Sequence, residues 1–375
     1  MQRVIIAGAG FGGIATAVAL RRAIAAAQVE IVLVDRRADF MMGLRKTWSV
    51  LGMVPLGDGR RALRDIAGVD FVQGEIERID PHRRSITVAG REIAGDSLVV
   101  ALGTRHDMGV VPGLAQNGIN VWDRDQVERA RSAIGNLGGG RLMIGIFGLP
   151  YSCPPAPFEL CLLARDRLGP SVDITVFSPA PTALPVVGPT ESAKVERLLA
   201  ERGIDFLSGH MASGVADGTV HFGDGSGLPF DVLLAVPRHA CPDVVVDAGL
   251  AEPGAWIKPD QRTLETAYDG VYAIGDCTVV PLANGLALPK AGIFAELEAE
   301  VVAARIAARI SGIEPTASFV GEGYCYLETG GGMAARASGA FLADPVAVTI
   351  GEPNAAALGE KREFERSRLR TWFGR

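Results

Sequence analysis

One short segment near the start of the chain constrains its fold more than any other. Val4 to Gly13 read V-I-I-A-G-A-G-F-G-G, an apolar run that ends directly in a Gly-x-Gly-x-x-Gly loop. Helical spacing at Ile14, Ala17 and Val18 follows, so the pattern predicts a strand, a tight turn and a helix. In such a turn Gly8 lets the chain leave the strand, Gly10 lets a pyrophosphate approach the backbone, and Gly13 lets the helix pack closely. The helix opens at Gly12, and its N-terminus then faces the phosphates. A second apolar run, Ile31 to Val34, ends in Asp35, placed where a carboxylate accepts hydrogen bonds from an adenosine ribose. Strand, glycines, helix, strand and acid in that order predict a dinucleotide-binding unit. Glycines that serve only the turn are the structural alternative.

The chain has 375 residues, 48% of them hydrophobic, enough for two or three domains with sizeable cores. Lys and Arg total 37 against 43 Asp and Glu, a net charge of -6, and this lack of basic excess argues against a nucleic-acid partner. The most helical late segment, Ala291 to Ile310, carries Glu296, Glu298, Glu300, Arg305 and Arg309, so it is not expected to span a membrane. The first strand begins so soon after the initiating Met that no room is left for a secretion signal, and the expected location is cytoplasmic. Five cysteines are too few for a disulfide scaffold, so a functional pair among them would be redox-active. No metal site is expected.

The chain also repeats itself. At one constant offset, Gly68, Asp70, Phe71, Gly74, Asp96 and Leu98 recur as Gly203, Asp205, Phe206, Gly209, Asp231 and Leu233. Each copy has a βαβ unit, a short strand meander, and an apolar strand (97–101, then 232–236) that leads into Arg-His. Such duplication implies two nucleotide-binding-like domains in an α/β fold. The expected division is 1–106, 107–239, a return to the first domain over 240–310, and a small C-terminal interface domain over 311–375.

Three motifs together resemble the flavoprotein reductases with two dinucleotide domains: Gly8 to Gly13, the strand-Gly segment from Leu98 to Thr104 that contains Gly103, and T-L-E-T-A-Y-D-G-V-Y-A-I-G-D from Thr263 to Asp276. The resemblance implies a glutathione-reductase-like fold, two tandem Rossmann-like domains plus a small C-terminal domain, with noncovalent FAD as cofactor. Asp276 then corresponds to a ligand of the ribityl and pyrophosphate end of FAD, held by a turn at Gly275. A helix-capping or turn-capping Asp is the plainer reading. The second βαβ turn keeps Gly145 and Gly148 but loses the third glycine, ends its second strand in Ser178 and places prolines at 154, 155 and 157. Proline removes the N–H donors a pyrophosphate needs, so a nicotinamide nucleotide would fit poorly there.

The segment S-C-P-P-A-P-F-E, with Cys153 and Glu159, resembles that of sulfide:quinone oxidoreductases and flavocytochrome c sulfide dehydrogenases. The resemblance implies a redox pair of Cys153 with Cys325, sulfide or a related sulfur compound as substrate, and a quinone or cytochrome c as electron acceptor. One of the two thiols should ionise readily, and the helix N-terminus expected after Cys153 would supply the favourable field. Glu159 is the candidate proton carrier, with an ordinary first-turn helix Glu as the alternative. Lys290, in A-L-P-K-A-G-I-F, resembles the lysine of a Pro-Lys-x-Gly motif that would favour an anionic reduced flavin, where a solvated lysine is the alternative. Cys161 and Cys241 read as core thiols, and Cys277 is ambiguous. His106 and His239 are linker histidines or proton relays.

The pattern departs from those families in having no cysteine before residue 153. The final segment joins Arg366, Arg368 and Arg370 to Leu369, Trp372 and Phe373, which suits either peripheral contact with an anionic bilayer or docking on the protein or on a second subunit of a homodimer. Two other functions fit the motifs: an NAD(P)H-dependent reductase acting on quinone, ferredoxin or rubredoxin, and a flavin-bound thiol redox sensor.

Overall fold

The computed structural model describes residues 1–374 and is built around two parallel sheets. The first begins as the glycine motif requires: β1 (Gln2–Ala7), the turn, α1 (Phe11–Ala23) and β2 (Val29–Asp35). Gly8 has φ +103, and a Cβ there would run into the Ala101 carbonyl. At Gly13 a Cβ would strike the Gly8 carbonyl, so only glycine lets α1 approach the strand end this closely. The short helix α2 (Arg45–Val50) follows, then β3 (Asp70–Gln73), β4 (Ser97–Val100) and the linker strand β5 (Arg105–Asp107).

The second sheet takes β6 (Ile119–Asn120), β7 (Gly140–Ile146), the helix α3 (Ala156–Leu168), β8 (Val172–Phe177), β9 (Ile204–Leu207) and β10 (Val232–Val236). A second linker strand, β11 (Arg238–Ala240), leads back to β12 (Val271–Ala273) and α4 (Gly292–Ile310). The first sheet runs β12-β4-β1-β2-β3 and the second β6-β10-β7-β8-β9, each parallel throughout. Strands covered on both faces are nearly continuous apolar runs, as Val4 to Ala7 and Leu142 to Ile146 are. The chain is thus an α/β protein with two tandem Rossmann-like cores.

The linker strands β5 and β11 pair antiparallel, with His106 opposite His239. Their rings lie 4.6 Å apart. Burial lowers their pKa values, to about 4 and about 3, so both are neutral at physiological pH.

The C-terminal part adds the antiparallel sheet β13 (Glu322–Gly330), β14 (Met333–Ala340) and β15 (Ala347–Ile350), and then α5 (Ala355–Phe373). Of the two readings of the tail, the apolar residues take the docked one. Leu369, Trp372 and Phe373 are buried, because the Trp372 ring meets Phe11 and Phe40 edge to face and Phe373 stacks on Phe40. Arg368 turns inward too, onto Glu296 at 3.1 Å, while Arg366 and Arg370 pair with Glu363 at the surface. No helix among the described residues is long and apolar enough to cross a membrane.

Trp372→Ala should cost about 3–5 kcal/mol of stability, read as an earlier urea midpoint. An unchanged midpoint would mean that the docked tail contributes nothing to the fold.

Candidate active site

A cavity of about 360 Å³ opens where the two sheets and the C-terminal sheet converge, and Gly10, Gly12, Gly103, Gly275, Asp276, Lys290, Cys153 and Cys325 all line it. Asp35 lies just outside it, at the end of β2, where Oδ2 accepts from the Ala9 N–H (2.8 Å) and Oδ1 from the Arg37 N–H (2.9 Å). The carboxylate is therefore pinned to the glycine turn.

Cys153 is brought in by the loop after β7. That loop turns with Cys153 at φ +56, an uncommon conformation for a non-glycine residue and one that over-determined loops hold at functional sites. Two contacts fix it. The Cys153 N–H donates to the Lys290 carbonyl (2.6 Å), and the Ser152 hydroxyl donates to Asp276 Oδ2. The prolines of this segment fall at the start of α3, where their missing N–H groups have no intrahelical partner to lose. Cys325 arrives from the opposite side, near the start of β13.

Both cysteines are free thiols, and each acts on the ionisation of the other. The thiol of lowered pKa is Cys325, which Cys153 as a donor favours as the thiolate against the effect of burial. Cys153 is pushed up, first by Cys325 and then by burial. The lowered value thus falls on the thiol of β13 and not on the one before α3. Cys161, Cys241 and Cys277 are buried, and burial raises the pKa of all three. They stand in the core clusters as packing residues.

Glu159 lies under the thiols, 4% exposed. Its Oε2 accepts from the Glu328 N–H (2.9 Å) and meets Lys361 Nζ at 2.6 Å. Lys361 also reaches Glu328 Oε2 (3.2 Å), which takes a further bond from Trp48 Nε1 (2.7 Å). Burial raises the Glu159 pKa although Lys361 opposes it. Burial works against the Lys361 ammonium, but the two carboxylates more than offset it and its pKa rises.

Lys290 is not solvated: its Nζ donates to the Asp276 carbonyl (2.7 Å) and the Thr278 carbonyl (2.8 Å) and sits 3.5 Å over the Trp256 ring. Burial lowers its pKa, with Asp276 the main opposing charge. Asp276 is itself shifted up by burial, against the Ser152 bond and the lysines. Lys46, Lys361, Glu328 and Glu298 escaped the sequence reading. Glu298 accepts from the Gly275 N–H (2.6 Å) beneath the turn, and burial raises its pKa to about 8.

Residues 2–299 match the family described as pyridine nucleotide-disulphide oxidoreductase. The chain belongs to that family, whose members are FAD-binding flavoproteins. It is 25% identical over 303 residues to the mitochondrial sulfide:quinone oxidoreductase of Mus musculus, covering 74% of this chain and 66% of that protein, just under two thirds of its length. It is 26% identical over 336 residues to the sulfide-quinone reductase of Aquifex aeolicus, covering 81% and 76%. The crystal structure of the Aquifex aeolicus sulfide:quinone oxidoreductase superposes with a TM-score of 0.90 at 22% identity, covering 100% of this chain and 92% of the other, which shows a common fold.

The residues present fit FAD. Nothing lies within 4 Å of where a Gly10 Cβ would stand, so the backbone of the turn is open to a pyrophosphate, and Asp276 and Lys290 line the same cavity.

An acid held above its ordinary value takes up its proton on folding between about pH 5 and 8, so its contribution falls by roughly 1.4 kcal/mol per pH unit as pH rises through that window. Glu298→Gln keeps an acceptor for Gly275 and removes the titration. Without cofactor, it should match the wild type at pH 4.5 and be more stable at pH 7.5 in urea melts; equal stability at both would refute the raised value.

Proposed function

We propose that this chain is an FAD-dependent oxidoreductase that oxidises sulfide, or a related sulfur compound, through Cys153 and Cys325 and delivers the electrons to a quinone. One observation carries the reading: two thiols far apart in sequence meet in the cavity that the glycine turn and Asp276 also line. The names of the relatives from Mus musculus and Aquifex aeolicus support the same substrate and acceptor.

In the oxidised pair, a hydrosulfide attacks one sulfur of the Cys153–Cys325 bridge. A new S–S bond forms on that cysteine, the bridging bond breaks, and its electron pair leaves on the other cysteine as a thiolate. FAD, when bound, supplies a two-electron acceptor that can pass electrons on singly or in pairs. Gly8, Gly10, Gly12, Gly13, Asp35, Gly103, Gly275 and Asp276 would hold it. Lys290 would set a cation beside it, at the entrance to α4. Glu159, its pKa raised by burial beside Lys361, is the candidate carrier for one of the two protons that a quinone takes up on two-electron reduction. Tyr324 and Phe364 line the same cavity, edge to face with centroids 6.3 Å apart, an aromatic wall that suits a planar acceptor better than a cytochrome surface.

A second cavity, of about 530 Å³, lies against the Cys153 loop, where the second dinucleotide turn has diverged. Leu149, Pro154, Leu184, Trp256 and Leu286 line it, and Lys290 is its one charged lining residue among those described. A wall so poor in donors and cations disfavours a nicotinamide nucleotide, which counts against the reductase alternative. A peripheral position at a membrane surface, where quinones are met, belongs to this reading, as does the division of the chain at residues 106, 239 and 310, which the return of β12 to the first sheet supports.

Anaerobic addition of sulfide should bleach the flavin absorbance of the purified protein, and NADH should not. Cys153→Ser or Cys325→Ser should retain FAD yet lose sulfide bleaching by at least about a hundredfold in rate. Bleaching that survives either change would overturn the mechanism; bleaching by NADH at a comparable rate would favour the reductase instead.

A further inference from the structure

One cation in the cavity has no part in the reaction as proposed above. Lys46 lines the cavity together with Cys153 and Cys325. It stands with Arg45 in the first turn of α2, a turn without an acid, where a helix disfavours positive charge. Lys46 Nζ donates to the Trp122 carbonyl (2.7 Å), and Trp122 Nε1 donates to the Ser152 carbonyl (2.8 Å), the peptide that leads into Cys153. A strap thus runs from α2 through one indole to the thiol loop. An ammonium has three donors, and the Trp122 carbonyl is the one hydrogen-bond partner of the Lys46 ammonium among the described residues, which leaves two for the cavity.

We propose that Lys46 is a charge partner of Cys153, a second cation that with Lys361 lets this thiol give up its proton once Cys325 is already a thiolate. Forming the bridge from two thiols requires two protons to leave. The first comes from Cys325. The second must come from Cys153, in a buried site beside a new negative charge and Glu159; Lys361 eases that cost, and a second ammonium lining the same cavity, that of Lys46, lowers it further. The proton passes to water; no bond between heavy atoms changes in this step and no electrons move. Burial lowers the Lys46 pKa to about 8, with the charges of Cys153, Asp123 and Asp276 opposing it and Arg124 adding to it. The neutral His106 and His239 are held neutral in part by the same cation. At pH 7 Lys46 is therefore charged. The inference rests on the cysteine chemistry proposed above but not on sulfide or quinone being the reactants.

The test is alkylation of the reduced, FAD-loaded protein by iodoacetamide between pH 6 and 10, with modification of Cys153 and Cys325 followed separately by peptide mass. Lys46→Gln keeps a donor for Trp122 and removes the charge. It should move the Cys153 profile up by about one pH unit or more, roughly tenfold slower reaction below the midpoint, and move Cys325 less. Lys46→Arg keeps a charge that does not titrate, so its profile should lie at or below that of the wild type. A Lys46→Gln profile that coincides with the wild type would overturn the proposal, and so would equal upward shifts in both variants, which would mark the strap as purely structural. Should Lys46→Gln fail to fold, the Arg variant still decides, because an upward shift there contradicts the proposal. If sulfide fails to bleach the flavin while the alkylation shift is present, the sulfide assignment falls and the partnership of Lys46 with Cys153 stands.

Discussion

The site depends on one short backbone bond, from the Cys153 N–H to the Lys290 carbonyl. It joins the loop after β7 of the second sheet to the segment that enters α4 of the first. A β7–α3 turn can carry a thiol in many directions, and this bond, with the Ser152–Asp276 contact, selects the one that faces Cys325. Lys290 serves both sides of the arrangement. Its carbonyl holds the thiol loop, while its ammonium ties down the Asp276 and Thr278 carbonyls behind the Gly275 turn. Movement of either sheet relative to the other would therefore disturb the thiol loop and the Gly275 turn together.

The buried charges follow a second constraint. Glu159, Glu328 and Lys361 are each less than a twentieth exposed, and ions so far from water persist only when paired and fully hydrogen-bonded. The Glu328 N–H and the Trp48 indole provide those bonds. The three residues come from different places, Glu159 from α3, Glu328 from β13 and Lys361 from α5, so the cluster forms only when the C-terminal sheet and helix have closed over the second sheet. Packing of the tail on Phe11 and Phe40 thus completes the polar site at some distance from itself.

The scaffold was legible because it rests on local rules. Glycines at a strand end, an acid at the end of β2 and the repeated strand-Arg-His pattern specify backbone geometry wherever they occur. Cys153 and Cys325 came from the resemblance of their surroundings and were not derivable from spacing. Lys361 was lost because E-K-R-E-F-E-R reads as a solvated face. A signal was present all the same: Leu358, Lys361, Glu365, Leu369 and Trp372 recur at helical spacing and are all buried, so the stripe that faces the core carries a lysine and a glutamate among its apolar residues. Glu365 is matched there by Arg45. Lys46, Glu298 and Trp122 act through contacts distant in sequence, and no periodicity marks them. Which of the two thiols ionises first is likewise set by a neighbour brought in from the other end of the chain.

The pairing of β5 with β11 has a geometric consequence. Arg105-His106 and Arg238-His239 occupy equivalent places in the two copies of the repeat, and they cross antiparallel with the histidines opposite each other. A local dyad therefore passes between the two imidazoles. The chain leaves one half and re-enters it through this single symmetric crossing, so the halves of the duplication meet there as equals, although their binding surfaces have since diverged.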